Sequence, residues 1–323
     1  MNKVYIIHEN GAWLPPLRNA LEDLGTPYTE WHLDSGFFNF SSPPPDGVFY
    51  NRMSASSHTR GHVHAPEYTA SVLSWLGAHG RRVVNDSRAL ELEISKVKQY
   101  AALEAFGIRV PKTMVAVGPK AVRDAAVQFG FPLMLKPNRG GKGAGVQLFQ
   151  SVEALDRYLE SADYDAGRDG TTLIQQFIES ADKSIIRCEF VSGKFLYAVK
   201  VDTSKGFELC PADVCQIEDQ ACPVGEAPGP MFEILNDFSH SNIGKYEQFL
   251  AANGIEVSGI EMIVDSDGMA WTYDVNTNTN YNDDAEALAA ISDTPRAGMR
   301  ALAKFLDQEL SQLGVRRRMI WDG

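Results

Sequence analysis

Basic residues are in deficit in this chain, cysteines are few and confined, and long apolar runs are missing. Thirty Lys plus Arg against 42 Asp plus Glu leave a formal charge of −12. That balance argues against duplex nucleic acid and against anionic membranes as partners. No apolar stretch approaches the roughly 18–20 residues of a membrane helix. The opening MNKVYIIHENG has no basic start, apolar middle or small-residue cleavage site. A soluble, cytoplasmic protein is the expectation. The four cysteines, Cys188, Cys210, Cys215 and Cys222, all fall in one third of the sequence. Within ELCPADVCQIEDQAC the spacings are four and six residues, not the two of a zinc knuckle, and no nearby His completes a set, so free thiols are expected. No internal repeat is present, and neither a Ser–His–Asp nor a Cys–His arrangement has persuasive spacing.

What is present is ordinary globular composition. The chain has 323 residues, 44% of them hydrophobic, with 27 Gly and 16 Pro, which excludes a disordered or low-complexity chain and allows two or three lobes. KVYIIH, VFYNR and RRVVN read as strands separated by the helical patterns WLPPLRNALEDLG and PEYTASVLSWLGAHG. That order implies a parallel sheet wrapped by helices over about the first 90 residues. NDSRALELEISKVKQYAALEAFG reads as a linker entering a long helix, with Asp86 or Ser87 as N-cap and Gly107 closing the end. A small α+β lobe follows. The remainder alternates strands, including a hairpin turning at Ser192-Gly193, and ends in one helix over EALAAISDTPRAGMRALAKFLDQELSQLG, with the basic triplet Arg316–Arg318 beyond it.

Three segments carry chemistry. In GIEVSGIEMIVDSDGMAWTYDVNTNTNYNDD two alternating strands flank Asp267-Gly268, a dipeptide suited to a two-residue type I′ turn. Placing the turn there sets Glu261 opposite Asp274, with Asn276 on the same face. Two opposed carboxylates repel, and a hard divalent cation such as Mg²⁺ offsets that repulsion while retaining phosphate oxygens in its shell. In LMLKPNRGGKGAGV a strand delivers Lys136, and Gly140, Gly141, Gly143 and Gly145 free backbone N–H groups to wrap phosphate oxygens. The spacing matches neither a Walker A loop nor a dinucleotide fingerprint; a hairpin lid over a triphosphate suits it better. In TLIQQFIES the backbone is suited to reading an adenine edge, with Phe177 and Ile178 walling the ring and Asp182, or in second place Glu179, at the ribose. A core strand explains this third segment equally well.

The ordered set SKVKQYAALEAFGIRVPKT, FPLMLKPNRGGKGAGV, TLIQQFI, SIIRCEFVSGKFLYAVK and GIEMIVDSDGMAWTYDVNTN resembles the ATP-grasp superfamily. The likeness is to its ribosomal-protein-S6 glutamate ligase, glutathione synthetase and D-alanine ligase branch, over roughly residues 85–283. It implies an α/β chain with an N-terminal open parallel lobe (1–90), a small central lobe bearing the Gly-rich lid (91–180) and a C-terminal lobe bearing the metal site (181–323). It further implies that Lys96 and Lys136 contact nucleotide phosphates and that Arg139, Gly140, Gly141, Lys142, Gly143 and Gly145 belong to the lid. Gln175, Gln176, Phe177 and Ile178 become the adenine hinge and Asp182 the ribose contact. Glu261, Asp274 and Asn276 hold two Mg²⁺ ions, with Mn²⁺ as an alternative. Arg187 neutralises a transferring phosphoryl group, with Lys200 assisting. The activity implied is ATP-dependent joining of a small-molecule or peptide carboxylate to an amine through an acyl phosphate. A phosphotransferase or carboxylate–thiol ligase of the same fold, and a nucleotide-binding module without turnover, stay open as alternatives, as does a homo-oligomer.

The chain departs from that branch in three places. Glu261 and Asp274 exchange the lengths of the usual metal acids. Gln175-Gln176 stand where an acid or Lys is common. NTNTNYN replaces a Ser-Pro-Gly substrate loop, leaving Asn278, Asn280 and Tyr281 as candidate substrate contacts. At the C-terminal edge of the N-lobe sheet, where ligands of open α/β folds gather, Arg52 is a candidate for a substrate carboxylate. Arg60, His62 and His64 lie near it in the sequence. The His62–His64 spacing invites a zinc reading, but no third or fourth ligand is evident in the sequence, and surface histidines are the default.

Overall fold

The computed structural model describes residues 2–141, 145–204 and 231–321, with side chains in the final helix as far as 313. Cys210, Cys215, Cys222, Lys142 and Gly143 therefore lie outside the described residues. The first sheet has the order β2-β1-β3-β4 and is parallel throughout. Its strands are β1 (Lys3–His8), β2 (Tyr28–His32), β3 (Gly47–Asn51) and β4 (Arg82–Val84). Parallel neighbours need crossovers, and α1 (Pro15–Asp23) and α2 (Ala65–Ala78) supply two of them. The central strand Val4–Ile7 and β3 are buried on both faces, as expected for a sheet covered by helices.

A second sheet, order β5-β8-β6-β7, is antiparallel. It comprises β5 (Thr113–Val117), β6 (Leu133–Pro137), β7 (Gln147–Phe149) and β8 (Thr171–Gln176), backed by α5 (Pro119–Phe129) and α6 (Val152–Glu160). A third, order β11-β10-β9-β12-β13, is antiparallel too. Its strands are β9 (Ser184–Val191), β10 (Lys194–Asp202), β11 (Phe232–Leu235), β12 (Val257–Val264) and β13 (Ala270–Asn276). Ser192 and Gly193 both take positive φ, 56° and 67°, as the expected two-residue hairpin turn demands. On one face of this sheet Phe190 is fully buried with Tyr246 and Phe249 of α7 (Asn242–Ala252), each worth about 1.5–3 kcal/mol of transfer free energy.

Two expected helices break. The segment after Asp86 forms α3 (Ser87–Glu93) and α4 (Lys96–Ala105). Ser95 restarts the second by accepting from the Lys98 N–H, as an N-cap residue does. The C-terminal pattern divides into α8 (Asp283–Leu288) and α9 (Gly298–Trp321); Ala290 adopts φ 56° and Pro295 cannot continue a helix interior. The triplet 316–318 lies inside α9 rather than beyond it. α9 packs on α1, β1, β3 and β9, so it fastens the first sheet to the third.

Buried Asn85 completes that junction. Its Nδ2 donates to Val257 O (2.8 Å) and Thr277 O (2.7 Å), while its Oδ1 accepts from the Glu256 N–H (2.9 Å) and Val257 N–H (3.1 Å). Every hydrogen-bonding site of the amide is used. Its φ of 58° is a left-handed conformation that asparagine tolerates better than most residues.

Candidate active site

The carboxylate hairpin places its acids as expected, but by a different route. Asp265 N–H donates to Met269 O and Gly268 N–H to Asp265 O, with Gly268 at φ 75°. This is a three-residue turn with a left-handed glycine, not a two-residue one. It shifts the pairing by one, so Met262 faces Thr272. A bulge between Glu261 and Met262 then absorbs one residue and returns Glu261 to Asp274. A bulge turns two successive side chains toward one partner, and Tyr273 Oη donates to Glu261 Oε2 at 2.8 Å. Asn276 Nδ2 donates to Glu261 Oε1 at 3.3 Å.

The repulsion between the two acids is offset by fixed cations of the protein itself. Buried Lys96 pairs with Asp274 through Nζ and Oδ1. Arg187 reaches Glu261 at 2.7 Å, Glu189 at 2.6 Å and Thr279 Oγ1 at 2.7 Å. Burial works against the Lys96 ammonium, but the adjacent Asp274 carboxylate outweighs it and raises the pKa. Arg187 is likewise held above its ordinary range: burial opposes its charge, and Glu189 and Glu261 restore it. Lys136 differs. It is 7% exposed and forms no ion pair among the described residues; its Nζ lies 3.3 Å from Tyr273 O, 3.5 Å from Tyr100 Oη and 5.2 Å from the centre of the Tyr273 ring. Burial first, and the Lys96 charge second, push its pKa down to about 7. It is a desolvated amine facing a cavity, ready for an anion.

That cavity, about 400 Å³, lies between the second and third sheets and reaches the first. Its volume falls in the range of small-molecule sites. Lys96, Lys136, Arg187, Glu261, Asp274 and Asn276 line one end. Further along the same strands the wall is largely apolar, from Met134, Ile178, Ile185, Val201, Phe232 and Ile263, with Glu179, Ser180, Lys183, Thr203 and Ser204 at its rim. β8 ends at Gln176, and Phe177 and Ile178 line the cavity without making backbone–backbone hydrogen bonds among the described residues. An apolar slot edged by open backbone N–H and C=O groups accepts a flat heterocycle; the cationic end accepts phosphates. The oxygens of Glu261, Asp274 and Asn276 are hard donors on one strand pair, the donor set of Mg²⁺. Because Asn276 gives its N–H to Glu261, its carbonyl oxygen is left for the cavity.

Other candidates fall elsewhere. Asp182 does not line the cavity; Lys200 (2.7 Å) and the hydroxyls of Ser180 and Ser184 hold it, and these bonds lower its pKa to about 2. Glu179, Ser180 and Lys183 are the residues that do line it there. Lys200 faces Ile186 across the β9–β10 ladder, while Arg187 faces Val199, so Lys200 projects from the opposite sheet face to Arg187. Arg139 is turned away as well, its Nη1 donating to Glu67 of α2 at 2.6 Å; Gly140 and Gly141 line the cavity in its place. Gly145 sits against Pro137. Gln175 lines the cavity, but its side-chain amide is spent on Tyr100 Oη and Thr113 Oγ1, while Gln176 Oε1 accepts from the Lys112 N–H. Tyr281 is a core residue packed under Gly298, where any Cβ would meet its ring.

Arg52 is 2% exposed and does not line the cavity. Its Nη2 donates to Asn280 Oδ1 (2.6 Å) and its Nε to Asn278 Oδ1 (3.2 Å). A guanidinium has no acceptor, so both amide oxygens must face it. Asn278 and Asn280 line the cavity, leaving their N–H donors available there. Residues that no sequence pattern singled out complete the frame. Glu93 accepts from the Ala55 and Thr277 N–H groups, tying both loops to α3. Asn138 accepts from the Val97 N–H and fixes the start of α4, hence Lys96, beside the end of β6.

Comparison with known proteins is consistent with this geometry. Residues 94–207 match the family described as RimK-like ATP-grasp domain. A probable alpha-L-glutamate ligase of Vibrio atlanticus is 30% identical over 140 residues, 43% of this chain and 46% of that protein. One from Syntrophotalea carbinolica is 32% identical over 124 residues, 38% and 40% of the two chains. The matched stretch thus spans less than half the length of these curated relatives. Among solved structures, a RimK domain ATP-grasp protein from Sphaerobacter thermophilus superposes with a TM-score of 0.64 at 18% identity, over 94% of this chain and 98% of that one. D-cycloserine synthetase DcsG gives 0.61 at 18%, over 95% and 99%. The ATP-grasp ligase PsnB, in complex with a minimal precursor, Mg and ADP, gives 0.60 at 14%, over 95% and 97%.

Proposed function

Because the chain has an ATP-grasp fold and matches the RimK-like domain across residues 94–207, we propose that it is an ATP- and Mg²⁺-dependent ligase that joins a carboxylate to an amine. The observation that carries the reading is one cavity with an apolar slot at one end and Lys96, Lys136 and Arg187 beside three oxygen donors at the other. The adenine lies in the slot against Phe177 and Ile178. The triphosphate runs toward Lys136, whose unpaired amine gains its charge partner there, and toward Lys96, which exchanges Asp274 for phosphate. Glu261, Asp274 and Asn276 hold the Mg²⁺, which, when bound, neutralises charge on the phosphate oxygens.

The substrate carboxylate takes the N–H donors of Asn278 and Asn280, with Arg52 as the positioning residue behind them. One carboxylate oxygen attacks the γ-phosphorus, the bond to the bridging oxygen breaks, and its electron pair leaves with ADP. The amine nitrogen then attacks the acyl carbon, the C–O bond to phosphate breaks, and the nitrogen loses a proton as the amide forms. Both steps build charge on oxygen, so fixed cations and N–H donors supply most of the stabilisation. No nucleophilic side chain is required. The paired amides suit a carboxylate, whose two oxygens accept one hydrogen bond from each.

The test is ADP and free-phosphate release with pools of amino acids and peptides, L-glutamate first because of the relatives' names. ADP and phosphate should appear in equal amounts and only with both substrates. Asp274→Asn should remove turnover while the chain still unfolds in one cooperative thermal transition, at a lower Tm because buried Lys96 loses its partner. ADP without phosphate would replace the ligase with a kinase. Nucleotide binding with no release from any pool would leave a binding module.

A further inference from the structure

The histidines of the first sheet are not absorbed by this function. β1 and β2 run parallel with His8 beside His32, so both strands end at the same edge. The chain turns there, with Leu33 N–H donating to His8 O at 2.8 Å, and Asp34 follows. The turn after β3 brings His62 to the same place. One ligand atom from each of His32, Asp34 and His62 lies within 4.8 Å of the others. His64 does not join them.

The hydrogen bonds behind the two rings fix which nitrogens face the cluster. His32 Nε2 lies 3.0 Å from the backbone oxygen of Glu9. A carbonyl only accepts, so Nε2 carries the proton and the lone pair of the neutral ring is on Nδ1. His62 Nδ1 lies 2.7 Å from Glu9 Oε2, a carboxylate that Arg60 grips through Nη2 (2.5 Å) and Nε (3.1 Å). That nitrogen is again the donor, leaving the His62 lone pair on Nε2. Glu9 is 1% exposed, a heavily buried acid whose side chain and backbone orient both imidazoles. Carboxylates and carbonyls behind histidines are the usual outer partners of metal ligands. The His32 Nδ1 lone pair then faces Asp34 Oδ1 at 3.1 Å. Two acceptors at that distance need a positive species between them.

We propose that His32, Asp34 and His62 bind a divalent transition-metal ion, Zn²⁺ fitting best, at a site distinct from the nucleotide cavity. Two imidazoles and a carboxylate are a zinc ligand set that leaves a fourth position open. Bonds of about 2.0–2.2 Å bring tetrahedral ligand atoms to about 3.3 Å apart. The side chains of His32 and Asp34, 43% and 35% exposed, are accessible enough to close that gap. Arg60 lies over the ring of Trp13 at 4.7 Å, and Trp13 lines the nucleotide cavity. The metal would therefore stand behind the substrate-side wall and stiffen it through Glu9 and Arg60.

The test uses the full chain with Cys210, Cys215 and Cys222 changed to Ser, in excess Mg²⁺ to occupy the hairpin site. Zn²⁺ is titrated calorimetrically, and Co²⁺ by its visible absorption. One equivalent of either ion should bind, with the intense visible bands of four-coordinate Co²⁺. His32→Ala and Asp34→Ala should each weaken binding at least tenfold, and Glu9→Gln by about 10–100-fold. Asp34 is at the surface, so its variant keeps the fold even if another does not, and a thermal melt checks each. No uptake, uptake that the Asp34 variant retains in full, or a protonated His32 that pairs with Asp34 and excludes both metals would overturn the proposal.

Discussion

Gly259 controls the position of Arg187, and that claim can be worked through in numbers. A Cβ built on Gly259 would fall 2.4 Å from Arg187 Nη2 and 2.6 Å from its Cζ and Nε. Contacts so short force something to move. Arg187 is 6% exposed and its guanidinium is tied to Glu189, Glu261 and Thr279, so it has no open space to retreat into. Gly259→Ala must either displace it from buried Glu189 and half-buried Glu261 or shift the strand. Breaking a buried pair costs about 3–5 kcal/mol, and the substitution should approach that figure. Arg187→Met should cost a similar amount by leaving Glu189 and Glu261 uncompensated. The double variant should not cost their sum, because the clash vanishes with the guanidinium. A coupling of at least about 2 kcal/mol is expected between residues in such contact. Urea unfolding of the four proteins measures it. Penalties that add within about 0.5 kcal/mol would show that the glycine does not hold the arginine's place.

Lys136 gives a pH signature. Its pKa falls from 10.5 to about 7 on folding, so between these values the unfolded chain binds the extra proton and stability rises with pH. The charge burdens the folded state fully below about pH 7 and not at all above about 10.5. Lys136→Met should therefore be more stable than the parent at pH 7, by on the order of a few kcal/mol, with the gap in Tm narrowing toward pH 9; a gap that stays constant would refute the assignment. Asn85→Ala removes four buried hydrogen bonds and places alanine at positive φ. It should cost about 3–5 kcal/mol, and a loss under 1 kcal/mol in denaturant unfolding would deny Asn85 its role at the lobe junction.

The strand groups of the three sheets and the carboxylate hairpin are legible because they rest on patterns of short range, whereas Lys96 and Arg187 are expected only through the family resemblance. Alternation, glycine placement and hydrophobic runs marked the hairpins and the site's strands. The opposition of Glu261 and Asp274 was read correctly from a turn that does not exist, since the three-residue turn and the bulge cancel. Bulges have no sequence signature here, which is why Tyr273 went unnoticed. Lys200 takes the face opposite Arg187 through strand register, which no local pattern shows, and Asp182, in the turn before β9, is held by Lys200, Ser180 and Ser184. Arg52 and Arg139 were read as ligand contacts because sequence shows a cation but not what it already holds. The partners of His62 were invisible along the chain: they come from a neighbouring strand end and its following turn, brought together only by the parallel sheet.

The most direct measurement follows the oxygen of the carboxylate. With amino acids labelled with ¹⁸O in their carboxyl groups, L-glutamate among them, and an amine that supports ADP formation, attack on the γ-phosphorus carries one labelled atom into phosphate. Mass spectrometry of the released phosphate should then show one ¹⁸O per amide formed. Turnover that releases unlabelled phosphate would contradict an acyl phosphate in this cavity.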